Sequence, residues 1–181
     1  LDQFNFNVTE LKILENGDKI VGNDRGTVTS NNGVVITANQ FEYYKKLNIL
    51  YASGDVKIID NINDYVIYTQ EITYKKNENL ILTNNNSRAI DLKANIQIDA
   101  NNFEYNLIEN IIIAKKNATI KNKLKNYTIS SNAHSLDQFN FNVTELKILE
   151  NGDKIVGNDR GTVTSNNGVV ITANQFEYYK K

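Results

Sequence analysis

Cysteine, proline, methionine and tryptophan are all absent from this chain of 181 residues, and histidine occurs once, at His134. Without cysteine the chain has no disulfides and no thiolate metal ligands, and it could function in an oxidising or a reducing compartment. Without methionine, we expect Leu1 not to be a translation start, so that any signal peptide would precede it. The longest apolar run, from Ile111 to Ala114, is far shorter than the ~18 residues of a membrane-spanning helix.

The sequence offers little for catalysis, metal binding or nucleic-acid binding. One histidine without cysteine cannot build a typical zinc site or a Ser/His/Asp triad, and His134 stands at a repeat position that holds Phe41 and Phe103 elsewhere. The acidic turn 60–64 has neither the EF-hand spacing nor that of a nonapeptide calcium repeat. A formal net charge of −1 gives no electrostatic case for nucleic acid. We therefore expect no enzyme, no cofactor and no metal.

An exact internal repeat divides the chain. Residues 136–181 copy residues 1–46 letter for letter. Natural repeats keep their buried face and diverge on the surface, yet the turn Glu15–Asp18 returns unchanged as Glu150–Asp153. This favours a deliberate duplication of part of one natural domain, with a very recent natural duplication as the alternative. We expect one domain at 1–135 and a copy at 136–181 that continues the same sheet, provided that the junction Ser135–Leu136 keeps the strand register.

A second repeat, of about 31 residues, has diverged and recurs four times before Ser135. Within each unit apolar and polar residues alternate, which is typical of half-buried strands, and Asn/Gly-rich segments between them are typical of tight turns. The sequence therefore predicts an elongated all-β domain of antiparallel hairpins. The clearest matches are Ile36-x-Ala38-x-x-Phe41-Glu42-Tyr43, Ile67-x-Thr69-x-x-Ile72-x-Tyr74 with Leu80-x-Leu82 after it, and Ile98-x-Ala100-x-x-Phe103-Glu104-Tyr105.

The apolar positions of these units share one strand face, which neighbouring units must bury together. That face is either a plain core or a groove completed by a lipid, and the periodicity does not separate the two. Glu42 and Glu104 alternate with core aromatics, which favours a solvated outer face over a pair of glycosidase carboxylates. The candidate lining residues are Ile36, Ala38, Phe41, Tyr43, Ala52, Val56, Ile58, Ile67, Ile72, Tyr74, Ile98, Ala100, Phe103, Tyr105 and Ile120.

The segment from Ile36 to Ile58, ITANQFEYYKKLNILYASGDVKI, resembles the repeat of the OstA-like lipopolysaccharide-transport family. That family's pattern runs, loosely, A-x-x-F-E-Y, then N-x-L-x-A-x-G-x-V-x-I. The match extends from Phe6 to about Ser131. A later unit departs from it, with Lys116 at the place of Gly54.

The resemblance implies a fold, a ligand and a location. The fold is a U-shaped antiparallel β-jellyroll whose interior holds the acyl chains of lipid A, and such jellyrolls stack end to end through their edge strands. Family members are a periplasmic bridge protein and the N-terminal domain of an outer-membrane assembly protein, and the Phe-Glu-Tyr spelling is closer to the second. The implied location is the periplasm of a Gram-negative bacterium, associated with the outer membrane. The implied partners are lipopolysaccharide and other jellyroll proteins, or a second copy of this chain.

Two alternatives remain from the sequence. A β-repeat filament, engineered or natural, would assemble head to tail without lipid, because the copied tail can stand in for the head of the next chain. An enzyme or carbohydrate-binding module on a parallel β-helix would need a stacked rung of about 20–30 residues, and the hairpin signals inside each unit argue against it.

Overall fold

The computed structural model describes residues 3–122, 127–130, 139–143, 145–149, 154–158, 160–165 and 169–179. His134 and the junction Ser135–Leu136 lie outside the described residues. Short 3₁₀ turns occupy Glu15–Gly17 and Lys76–Glu78. The strands are β1 (Phe4–Leu14), β2 (Lys19–Ser30), β3 (Val35–Ala38), β4 (Gln40–Tyr44), β5 (Ile49–Asp60), β6 (Tyr65–Lys75), β7 (Leu80–Asn84), β8 (Ser87–Asp91), β9 (Ile96–Ala100), β10 (Asn102–Asn106), β11 (Ile111–Lys115), β12 (Thr119–Asn122), β13 (Tyr127–Ser130), β14 (Phe139–Asn142), β15 (Glu145–Leu149), β16 (Lys154–Asn158), β17 (Gly161–Ser165), β18 (Val170–Ala173) and β19 (Phe176–Tyr179).

The first long strands each pass through two layers that face each other. β2 pairs with β4 through residues 19–22 and with β3 through residues 26–29, and β5 and β6 divide in the same way between their neighbours. Layer A contains residues 4–8, 26–30, 56–60 and 65–69 together with β3, β8, β9, β12 and β13. Layer B contains residues 10–14, 19–23, 49–53 and 71–75 together with β4, β7, β10, β11, β15, β16 and β19.

The sheet folds into a U at a bend between the two layers. The pairing of β5 with β6 slips between Ser53 and Val56, and a bulge of this kind turns a strand sharply. Gly54 lies there with φ 78°, and a Cβ at this position would lie 2.8 Å from Asn39 Nδ2. Lys116, which replaces this glycine two repeats further on, also takes a left-handed conformation, with φ 60°.

The hairpin turns show the repeat of about 31 residues. Layer A turns at 31–34, 61–64 and 92–95, and layer B turns at 15–18, 45–48, 76–79 and 107–110. Most of these turns end on an Asn or Asp with positive φ, namely Asn48, Asp64, Asn79, Asn95 and Asn110, the residue types that tolerate this conformation best after glycine. Every strand pair among the described residues is antiparallel. The predicted elongated, U-shaped antiparallel β-jellyroll is confirmed.

The copied segment repeats the pairings of the original. β14 pairs with β17, and β17 with β18, as residues 4–7, 26–30 and 35–38 do in the first copy. β15, the copy of residues 10–14, pairs with β16 on one side and with β11 on the other. Layer B thus runs from the first copy into the second. The predicted domain boundary at residue 135 lies outside the described residues and stays a prediction.

Candidate functional site

All the predicted lining residues lie on the inner faces of the two layers. Each is at most 6% exposed, and together they belong to one continuous apolar cluster. Their role as a lining for lipid stays a prediction. Layer A contributes Ile36, Ala38, Val56, Ile58, Ile67, Ile98, Ala100 and Ile120, and layer B contributes Phe41, Tyr43, Ala52, Ile72, Tyr74, Phe103 and Tyr105.

Other residues of this interior were not predicted from the sequence. Val28, Leu50, Ile81 and Ala89 are as fully buried as the predicted residues. Ile81 corrects the predicted pattern Leu80-x-Leu82, because the residue between these two leucines faces inward and the leucines do not. The turn 76–79 that precedes β7 sets this phase, and the left-handed Asn79 that ends it is the counterpart of Asn48. Aligning these two asparagines would have identified Ile81 as the counterpart of Leu50.

The glutamates of the repeated Phe-Glu-Tyr motif face outward, as predicted. Glu42 lies 2.8 Å from Lys19 Nζ, and Glu104 lies 2.7 Å from Lys115 Nζ. The hydrogen bond from Lys19, followed by that from Tyr44, lowers the pKa of Glu42. Both carboxylates are therefore ion-paired on the outer surface, far from the arrangement of a glycosidase pair, in which two carboxylates flank one bond.

The hydroxyl groups of Thr69, Thr83 and Ser87 form a polar cluster in the interior near the bend. The Ser87 hydroxyl lies 3.0 Å from that of Thr69 and 2.6 Å from that of Thr83. Thr69 also donates to the carbonyl of Asn84 at 2.7 Å, and the Phe103 N–H donates to Thr83 at 2.8 Å. Since buried hydroxyls cost free energy only when unpaired, this cluster is compatible with an apolar interior and serves to fix the layers to each other.

Two further polar contacts join the layers at the side opposite the bend. Tyr105 donates to Asp60 Oδ2 at 2.7 Å, and the Asn32 side-chain amide donates to the Tyr74 hydroxyl at 3.0 Å. Burial raises the pKa of Tyr105, and the carboxylate of Asp60 raises it further. Tyr105 therefore remains protonated and acts as the donor. Burial likewise raises the pKa of Tyr74.

The outer surface of layer A has a polar hollow of about 960 Å³. Several of its charged side chains have partners: Arg88 Nε lies 2.6 Å from Asp99 Oδ1, and Lys57 lies over the ring of Tyr68. Within the described stretches, no group of three or more His, Cys, Asp or Glu residues could hold a metal ion. None of the described helical segments has the length and hydropathy needed to cross a membrane. The apolar interior is therefore the strongest candidate site.

Comparison with known proteins supports the fold. No protein-family model matches the chain, and no curated protein matches it by sequence. It is similar to the crystal structure of LptH from Pseudomonas aeruginosa, described as the LptA-homologous periplasmic component of the conserved lipopolysaccharide transport device. The TM-score is 0.53 at 13% sequence identity, over 62% of this chain and 82% of LptH. The similarity is one of fold. It agrees with the jellyroll that the OstA-like resemblance implies.

Proposed function

We propose that this chain is a lipopolysaccharide-transport module, which shields the acyl chains of lipid A in its interior and stacks end to end with other jellyrolls. The observation that carries the proposal is the continuous apolar interior, which runs through successive repeats between the two layers. The OstA-like repeat and the LptH-like fold support the same function. They also support a location in the periplasm of a Gram-negative bacterium, associated with the outer membrane.

The hydrophobic effect gives the physical reason for such a module. Exposing an acyl chain of about twelve carbons to water costs roughly 10 kcal/mol, at about 0.8 kcal/mol per methylene. A multi-chain lipid therefore needs a shield along its whole aqueous path. An interior built from similar repeats offers similar apolar surroundings at each step, so no step holds the lipid much more tightly than the next. No catalytic residue is required for this function.

The edge strands support stacking. β1 is the end strand of the large sheet, and Ile13 on it is 63% exposed. Its counterpart in the copy, Ile148, lies opposite Ile112 of β11. The pairing of β15 with β11 thus shows, within one chain, how the edge formed by residues 10–14 of β1 can pair with a further strand. Exposed strand edges commonly add strands in this way. A second copy of the chain, or another jellyroll, would dock on the same edge.

Lipid binding tests the proposal directly. The purified chain should bind fluorescently labelled lipopolysaccharide, and the same lipopolysaccharide stripped of its acyl chains should not compete for binding. If the deacylated form competed equally well, the chain would bind the sugars or phosphates of lipopolysaccharide and not its acyl chains. That result would contradict the proposed function.

The structure also favours a second candidate, a filament module that assembles head to tail without lipid. The interior is already filled by side chains of the protein, and the edge pairing between β11 and β15 needs no lipid. Association of lipid-free chains together with no binding of acylated lipopolysaccharide would favour the filament over the transport module.

A further inference from the structure

The interior is closed in this structure, so an acyl chain can reach it only if a boundary opens. At the bend, the long strands β2, β5 and β6 run without a break from one layer to the other. Opening there would break strand pairing in both layers. The opposite side, where the turns of layer A face those of layer B, has no such continuity of chain. We call this side the lip.

Each margin of the lip is joined along its length by backbone hydrogen bonds. In layer B, Lys76 N–H donates to the carbonyl of Asn48 at 2.9 Å, and Leu107 N–H donates to that of Asn79 at 3.0 Å. In layer A, Leu92 N–H donates to the carbonyl of Asp64 at 2.9 Å. The turns of one margin are therefore linked to one another, and each margin can move as a unit.

The bonds across the lip in the described part of the chain depend on side chains. Around turn 61–64 they are the bond from Tyr105 to Asp60 at 2.7 Å and the bond from the Asn63 amide to the carbonyl of Leu107 at 3.2 Å. The ring of Tyr65 also packs edge-on against that of Tyr105, at 5.5 Å. Side-chain contacts can separate while both margins keep their backbone pairing. We call the bond between Tyr105 and Asp60 the clasp.

Exposed apolar side chains stand on both turns beside the clasp. Ile62, in the turn of layer A, is 73% exposed, and Ile108, in the turn of layer B, is 75% exposed. Single exposed isoleucines are common on protein surfaces, but these two lie on opposite margins, in turns that the bond from the Asn63 amide to the Leu107 carbonyl joins. They offer an acyl chain its first apolar contact.

We propose that acyl chains enter the interior sideways through the lip, between turns 61–64 and 107–110, when the clasp between Tyr105 and Asp60 parts. This inference rests on the proposed function and adds the route by which the lipid arrives. Asp60 keeps three other donors, the N–H groups of Ile62 and Asn63 and the Asn63 amide, at 3.0–3.1 Å. The carboxylate therefore stays paired when Tyr105 moves away, and the clasp can open without leaving a buried charge unpaired.

A reducible crosslink tests the route, because the chain has no cysteine of its own. The variant N63C/L107C, joined by a short bis-methanethiosulfonate, ties the margins together. Uptake of labelled lipopolysaccharide should fall at least about tenfold when the tie is present and recover when it is reduced. The control K57C/Y68C ties two register partners on the outer face of layer A and should leave uptake unchanged. Equal uptake by the tied and the reduced lip variants would overturn the route and leave the proposed function standing.

A measurement without lipid separates the two proposals. A thiol placed in the interior by Ile98→Cys should react slowly with a maleimide, and adding Tyr105→Phe should accelerate the reaction about tenfold, which corresponds to about 1.4 kcal/mol. Adding Tyr51→Phe, on the outer face of layer B, should not. Faster labelling without any lipid binding would show that the clasp controls access and that the proposed function is wrong. An unchanged rate with Tyr105→Phe would overturn the clasp, whatever the lipid result.

Discussion

Ile36 and Ile171 occupy the same position in two identical stretches of sequence, yet Ile36 is fully buried and Ile171 is 49% exposed. Ile36 belongs to β3, which pairs with β2 on one side and β5 on the other. Ile171 belongs to β18, which within the described residues pairs with β17 alone. Burial of an inward-facing residue in this fold therefore depends on the neighbouring strand as well as on the local sequence. β18 therefore exposes apolar side chains, Val170 and Ile171, that a strand of another jellyroll could cover.

This pair of residues gives a matched test of stability. Ile36→Ala should lower the free energy of unfolding by about 2–5 kcal/mol, the usual cost of truncating a buried isoleucine. Ile171→Ala removes the same atoms from the same sequence and should change it by less than about 1 kcal/mol. Urea denaturation of both variants measures the difference. Equal losses of stability in the two variants would mean that Ile171 is as well buried as Ile36, which would contradict the structure.

The free edge of β1 should control association. Ile13→Lys places a charge on this exposed edge, and such charges oppose strand pairing between molecules. Sedimentation equilibrium should show association of the unmodified chain, shifted to about tenfold higher concentration in the variant, a change of about 1.4 kcal/mol. Leu92→Lys, on a turn of layer A, is the control and should not shift it. A monomer at all concentrations would contradict stacking.

Gly26 should be essential for seating β1 on β2. A Cβ at Gly26 would lie 2.6 Å from the carbonyl oxygen of Asn7 and from the Cα of Val8, and backbone at that distance cannot move aside cheaply. Gly26→Ala should therefore lower the free energy of unfolding by about 1–3 kcal/mol, the typical effect of overpacking. It should also raise hydrogen exchange in residues 4–14. If hydrogen exchange in β1 were as slow in the variant as in the unmodified chain, the strand would tolerate the methyl group and the prediction would be wrong.

Alkaline pH should destabilise the fold through Tyr105. Burial and the nearby carboxylate raise the pKa of Tyr105 above the ordinary tyrosine value of about 10 in the folded chain. Its contribution to stability is complete below that pH and declines as the pH rises further, since the unfolded chain ionises first. The unfolding free energy should thus fall above about pH 10, and less steeply in Tyr105→Phe. Parallel pH curves for the two proteins would argue against a buried, protonated Tyr105.

The repeat pattern predicted the fold well because alternation reports directly which side of a strand is buried. Phe103 and Ile98 were placed on the inner face from spacing alone, and both lie there. The interior contact between Tyr105 and Asp60 was not predicted, since the two residues are 45 positions apart and the pattern describes single strands. Ile81 was missed because Leu80-x-Leu82 is itself an apolar alternation, and only alignment with Leu50, 31 residues earlier, shows that the residue between the leucines faces inward. Spacing also cannot say whether an apolar face closes on itself or on a lipid.

A photo-crosslinking comparison on strand β9 tests whether the interior carries acyl chains. Ile98 faces the interior, and its neighbour Gln97 faces outward on the same strand. With a photoreactive amino acid at each position in turn, we expect lipopolysaccharide to be captured from position 98 and not from position 97. Equal capture at the two positions, or capture from Gln97 alone, would contradict an interior that carries acyl chains.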